Sequence, residues 1–234
     1  MEKKSFVTAI IVAAGNSTRM GTITSKQFIP LLGKPAISYT FNAFEEAESI
    51  DEVVVVCREC DLQQIKDIAK EGGCKKVTSF VFGGATRSES VKAGIRAASE
   101  KTTHFAIHDG ARALILPSNV DKVVSVALKI KAAALGVPVT DTVKVVDEDG
   151  YIISTPIRST LRGAQTPQVF EKELYLSALK VCEGEDFTDD CALVEKVGAK
   201  IKIVDGDYTN IKLTTLQDVP LAEGILKRRE KEEG

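Results

Sequence analysis

Residues Phe6 to Gly21 read FVTAIIVAAGNSTRMG, and the change of character within them decides the fold. From Phe6 to Ala13 the side chains are apolar or β-branched almost without a break, as in a strand buried on both faces of a parallel sheet. From Ala13 to Gly21 they become small and polar, as in a loop leaving the carboxyl end of that strand. The apolar part is far shorter than the roughly 20 residues of a membrane span. A basic start followed by a short apolar run also fits a leader peptide, but the loop behind it favours a buried first strand. Open α/β sheets bind ligands at this edge, and consecutive small residues let backbone N–H groups form a nest for an anion. Ala13, Ala14 and Gly15 are therefore candidates for phosphate contact, with Arg19 and Lys26 adding positive charge. The pattern is neither GxGxxG nor GxxxxGK[ST].

Downstream, apolar runs alternate with amphipathic stretches. Strands are expected at Val53 to Cys57, Val77 to Phe82, Phe105 to His108, Ala132 to Val137 and Ile201 to Val204. Helices are expected over Ala36 to Ala47, over Ser88 to Ala98, and after Ser118 as an N-cap. Others are expected near Glu171 to Cys182, after Thr188, and from about Thr215 with Asp218 completing its start. The repeated β-α-β order implies a Rossmann-like α/β fold, a mainly parallel mixed sheet with helices on both faces. One domain over residues 1–234 is expected, interrupted by a protruding β-hairpin arm at about 138–160. The arm's tight turn is Asp147-Glu148-Asp149-Gly150. A lone hairpin is marginal in water, so the arm should pack against something, such as a second subunit. Arg158 to Gln168 (RSTLRGAQTPQ) is polar and aperiodic and reads as a loop.

The chain is 44% hydrophobic and 27% charged with net charge −2, which supplies no overall field for nucleic acid. No nucleic-acid or membrane partner is expected, and the location expected is cytoplasmic. Five scattered cysteines (Cys57, Cys60, Cys74, Cys182, Cys191) fit reduced thiols. Cys57-x-x-Cys60 and His104-x-x-x-His108 lie too far apart for a zinc finger, and no protein-built metal site is expected.

The remaining motifs fall at strand ends and helix starts. After the first loop, Lys26-Gln27-Phe28-Ile29-Pro30-Leu31 leads into Gly33-Lys34-Pro35; together they resemble the sugar-nucleotide type of nucleotidyltransferase. Gly83 to Val91 (GGATRSESV) precedes a helix, and a helix start with Arg87, Ser88 and Ser90 suits a nucleotide. His108-Asp109-Gly110-Ala111-Arg112 closes a strand, and Asn210-Ile211-Lys212-Leu213-Thr214 precedes the last helix. In this order, from Ala13 to about Asp218, the motifs resemble the 2-C-methyl-D-erythritol 4-phosphate cytidylyltransferases of non-mevalonate isoprenoid synthesis.

That resemblance implies transfer of a cytidylyl group from CTP to a small phosphorylated polyol with release of pyrophosphate. It implies Arg19, Lys26 and Lys212 as the catalytic cations. It places the nucleotide on Ala13, Ala14, Gly15, Gly84, Arg87, Ser90 and Gly110, and the acceptor on Asp109, Arg112, Thr142, Arg158, Thr166 and Thr188. It further implies Mg2+ held mainly by the CTP phosphates and a homodimer joined through the β-arm. Where the family usually has HDAARP, this chain has HDGARA over His108 to Ala113. Gly110 and the missing proline should loosen that segment. Two rivals share parts of the pattern. A ribitol-5-phosphate cytidylyltransferase would share the loop, QTPQ and NIK, although Asp141-Thr142 and RSTLRGAQ favour the erythritol acceptor. A nucleotide-binding regulator without turnover would have no need to keep Arg19, Lys26 and Lys212 together.

Overall fold

The computed structural model describes residues 5–15 and 25–233. The strands are β1 (Val7–Val12), β2 (Pro30–Leu31), β3 (Lys34–Pro35), β4 (Glu52–Cys57), β5 (Val77–Phe82), β6 (His104–Asp109), β7 (Ala132–Pro138), β8 (Val145–Val146), β9 (Ile152–Ser154), β10 (Arg162–Glu171) and β11 (Lys202–Asp205). The helices are α1 (Ala36–Glu46), α2 (Leu62–Glu71), α3 (Arg87–Ala97), α4 (Pro117–Ile130), α5 (Lys172–Val181), α6 (Asp190–Glu195) and α7 (Asp218–Glu233). The main sheet has seven strands in the order β11-β7-β10-β6-β1-β4-β5. β1 pairs parallel with both β4 and β6, whereas β10 runs antiparallel to β6 and β7. The mixed, mainly parallel sheet expected from the sequence is what forms.

Alternation along the strands builds two cores. Ala9, Ile11, Val53 and Val55 point to one face and pack with Ile37, Phe41 and Phe44 of α1, Ile65 of α2 and Val123 of α4. Ile10, Val54, Val56 and Ile107 point to the other and meet Val91 of α3, Tyr175 of α5 and Val194 of α6. Both registers of β1 are buried, so the unbroken apolar run is what this position requires. A third cluster of Leu31, Ala113, Leu114, Leu213, Ala222 and Leu226 seats α7 against the β2–β3 hairpin and the segment after β6.

Several expectations are corrected. Arg162 to Gln168 is not a loop but most of the ten-residue β10, in the middle of the sheet. Its polarity hides it: Gln165, Thr166 and Gln168 are buried, and each is hydrogen-bonded to a neighbouring segment. The pairing with β7 also slips between Ala164 and Gln168, which erases strand periodicity. α4 is capped by Leu116 rather than Ser118, with Pro117 in the first turn, where its missing N–H costs nothing. α7 starts at Asp218, whose carboxylate accepts from the N–H groups of Thr214 and Thr215. α2 is not among the elements expected from the sequence.

The hairpin forms, but shorter than its sequence pattern. Asp147 Oδ1 accepts from the N–H of Tyr151 at 2.8 Å, and Gly150 takes φ +86°. Tyr151, Ile152, Ile153 and Ile157 are 62–74% exposed.

Candidate active site

Backbone hydrogen bonds continue past the strand ends and set three loops side by side. Ala13 N–H donates to Val56 O (2.7 Å), Gly83 N–H to Cys57 O (2.9 Å) and Gly110 N–H to Val12 O (2.9 Å). The contact is close: a Cβ at Gly83 would fall 2.3 Å from the Ala14 Cβ, so only glycine fits there. Gly110 is buried, with the place of its missing Cβ 3.1 Å from the Ala13 Cβ. It spaces β6 from the end of β1 and does not line the cleft.

At this edge lies a cleft of about 610 Å³. Ala13, Ala14, Gly15, Lys26, Gly84, Arg87, Ser90, Asp109 and Lys212 all line it, and they come from segments far apart in sequence. Arg19 lies outside the described residues. α3 opens behind the cleft with a capping box: Thr86 Oγ1 accepts from Glu89 N–H at 3.1 Å, and Glu89 Oε2 accepts back from Thr86 N–H at 3.4 Å. The pattern Thr86-x-x-Glu89 was a readable signal for this start. Ser90 Oγ accepts from Gly84 N–H at 3.2 Å and donates to Thr86 O at 3.0 Å, so that hydroxyl shapes the turn.

Asp109 is the electrostatic centre. Its Oδ2 lies 2.7 Å from Lys212 Nζ and 3.8 Å from Arg112 Nε, and its Oδ1 lies 3.4 Å from Arg87 Nε. Burial pushes its carboxyl up, but Lys212 and Arg87 outweigh burial and hold it at about 2. Arg87 is shared: its Nη2 sits 2.7 Å from Asp190 Oδ2, and Tyr175 OH donates to Asp190 Oδ1 at 2.6 Å. Asp190 and Tyr175 carry no sequence signal of their own, since one is an acid beside another acid and the other a helix aromatic.

Arg112 is fixed, although glycine and alanine replace the usual neighbours. Its Nη1 donates to Asn210 O at 2.8 Å and its Nη2 to Ala164 O at 3.4 Å. Leu213 N–H donates to Ala111 O at 2.9 Å, and Ala113 and Leu114 are buried. Burial and tertiary hydrogen bonds thus tie down the segment expected to be loose.

Thr166 is buried and bonded to the end of β6. His108 is fully buried, and burial pushes its imidazole down to about 4, so it is neutral at pH 7. Its Nε2 faces Arg112 O at 3.3 Å; a carbonyl only accepts, so the proton sits on Nε2. Nδ1 must then accept from the Thr166 hydroxyl at 3.0 Å, while Thr166 Oγ1 accepts from Asp109 N–H at 3.1 Å. Thr166 and His108 hold the Asp109 backbone. Thr142 and Arg158 are exposed on the arm, with Arg158 Nη1 on Thr140 O at 3.0 Å, and Thr188 is exposed ahead of α6. None of these three lines the cleft.

A cleft lined by Lys26, Lys212 and Arg87 beside the small residues Ala13, Ala14 and Gly15 suits a polyphosphate. A family model described as IspD, 2-C-methyl-D-erythritol 4-phosphate cytidylyltransferase, matches residues 7–228. The 2-C-methyl-D-erythritol 4-phosphate cytidylyltransferase of Caldanaerobacter subterraneus subsp. tengcongensis is 43% identical, covering 95% of this chain and 99% of that protein. Its counterpart in Desulforamulus reducens is 40% identical, covering 95% and 97%. The solved 4-diphosphocytidyl-2C-methyl-D-erythritol synthase of Anaerococcus prevotii superposes with a TM-score of 0.84 at 31% identity, covering 95% of this chain and 99% of that one.

Proposed function

The chain belongs to the 2-C-methyl-D-erythritol 4-phosphate cytidylyltransferase family, and from that premise we propose that the cleft beside Asp109 is where the transfer takes place. The protein is a nucleotidyltransferase that moves a cytidylyl group from CTP to 2-C-methyl-D-erythritol 4-phosphate. An acceptor phosphate oxygen forms a bond to the α-phosphorus as the bond to the β-phosphate oxygen breaks, and pyrophosphate leaves with the electron pair. The attacking oxygen is already ionised, so no base is needed and catalysis comes from position and charge. Asp109, held ionised at about 2, suits binding of an acceptor hydroxyl.

The single observation that carries this reading is the convergence of Lys26, Lys212 and the small residues Ala13 to Gly15 on one cleft. Arg19, Lys26 and Lys212 are the cations assigned to the α-phosphate. Magnesium fits as an ion carried by the triphosphate. The oxygens of Asp109 already face Lys212, Arg87 and Arg112, so phosphate oxygens would supply its ligands. When bound, it neutralises charge on the departing pyrophosphate.

Pyrophosphate release is expected with CTP and 2-C-methyl-D-erythritol 4-phosphate and not with CTP and ribitol 5-phosphate. Equal release with ribitol 5-phosphate would contradict the acceptor assignment, and no release with either would contradict turnover.

The arm supports a dimer. It exposes Tyr151, Ile152, Ile153 and Ile157, with Ile152 and Ile153 on opposite faces of β9, and apolar side chains concentrated on one arm suit an interaction site. Thr142 and Arg158 ride on it away from their own cleft, so the acceptor site would be complete only in the dimer. Ile152→Asp with Ile153→Asp is expected to give a folded monomer with little turnover. A variant that sediments as a dimer, or a monomer with parental activity, would refute this.

A further inference from the structure

Asp61, in the corner between β4 and α2, is a buried carboxylate with no part in the chemistry above. It is 6% exposed, and the side chains of Arg58, Gln27 and Ser25 converge on it, with the Cys60 thiol 3.7 Å from Oδ1. Arg58 Nε donates to Oδ2 at 2.7 Å and Arg58 Nη2 to Oδ1 at 2.9 Å. Gln27 Nε2 donates to Oδ2 at 3.0 Å and also to the carbonyl of Ala13 at 2.9 Å. The Ser25 hydroxyl donates to Oδ2 at 3.4 Å, and Arg58 Nη2 also donates to Ser25 Oγ. Ser25 and Gln27 are the neighbours of Lys26, and Ala13 is the first residue of the phosphate-binding turn.

One carboxylate therefore ties the segment carrying Lys26 to the end of β1 and to the corner after β4. Stability is a weak reason for such a cluster, because well-packed apolar residues often serve as well as a buried ion pair. What the cluster provides is directional: each partner has one geometry in which its bond is made. The corner also borders the cleft, which Arg58 and Gln27 line together with Lys26.

We propose that Asp61 is a positioning residue for the transfer reaction, fixing Ser25 to Gln27 so that the Lys26 ammonium is held at the CTP phosphates. This rests on the role given to Lys26, and the test separates the two. Pyrophosphate release is measured with CTP and 2-C-methyl-D-erythritol 4-phosphate for the full chain, Asp61→Asn, Lys26→Ala and the double variant.

Asp61→Asn keeps the shape but removes the charge and one acceptor oxygen. It is expected to lower kcat about 10–100-fold, the scale of a roughly 1 Å misplacement of a reacting group. The KM for the acceptor should stay unchanged. In the Lys26→Ala background the same substitution is expected to cost less than about two-fold, because a residue acting through another is not additive with it. A purely structural Asp61 would instead slow both backgrounds by the same factor. Losses that multiply, or parental turnover in Asp61→Asn, overturn the positioning role alone. Near-parental turnover in Lys26→Ala overturns the role of Lys26 and this proposal with it. If Asp61→Asn does not fold, Gln27→Met, which removes the bonds to both Asp61 and Ala13, is carried through the same cycle with the same readings.

Discussion

Lys212→Ala is expected to lower turnover about 100- to 1,000-fold, the usual effect of removing one preorganised donor from a transition-state charge. The fold should survive. The lysine side chain is 43% exposed, and its segment is held by other groups: Leu213 N–H on Ala111 O at 2.9 Å and Asn210 Nδ2 on Thr166 O at 3.0 Å. Lys26→Ala is expected to behave alike, with turnover lost and the protein folded. Purified Lys212→Ala turning over within a few-fold of the parent would remove Lys212 from the mechanism.

The same substitution has a signature in acid. The Asp109 carboxyl is held at about 2, below its ordinary 3.8. A group depressed in this way stabilises the native state fully above its unfolded value, and that contribution is lost as pH falls through its folded value. For the parent this window runs from 3.8 down to about 2. Without Lys212 the folded value rises, the gain shrinks, and the acid-unfolding midpoint should move to higher pH. An unchanged midpoint would mean that Lys212 does not hold Asp109 in its ionised form.

Arg87→Met is expected to be the most destabilising of the changes at the cleft, at about 3 kcal/mol. Removing one member of a buried ion pair strands the other, which typically costs that much. Asp190 is 4% exposed and would be left with Tyr175 as its donor, while Asp109 would lose one of its cations. For a chain of this size the melting temperature should drop by about 6–12 °C. Adding Asp190→Asn should recover part of that loss, because a neutral amide oxygen can still accept from Tyr175. A calorimetric scan showing Arg87→Met within about 2 °C of the parent would contradict the assignment of Arg87 as the bridge between Asp109 and Asp190. A double variant less stable than Arg87→Met would show that the stranded charge is not the cause.

The sequence alone determined six of the seven strands of the main sheet, most of the helices and the strand edge at which the cleft opens. The reason is local: an unbroken apolar strand, a small-residue loop and helical spacing are properties of neighbouring residues. The order of its motifs, through the family resemblance, also pointed to Lys26, Arg87, Asp109 and Lys212, which the fold brings to one cleft. Tertiary structure decided the rest. β10 is a central strand although it reads as a polar loop, since its polar side chains find partners on segments that folding alone brings near. The same holds for Asp190 and Asp61, acids whose surroundings are set by α3, α5 and the turn at Lys26. The contacts of Gly110 and Thr166 within the protein were unreadable for the same reason: they are with strands distant in the chain. Periodicity and composition report what a residue prefers, whereas hydrogen-bond partners and burial depend on residues tens of positions away.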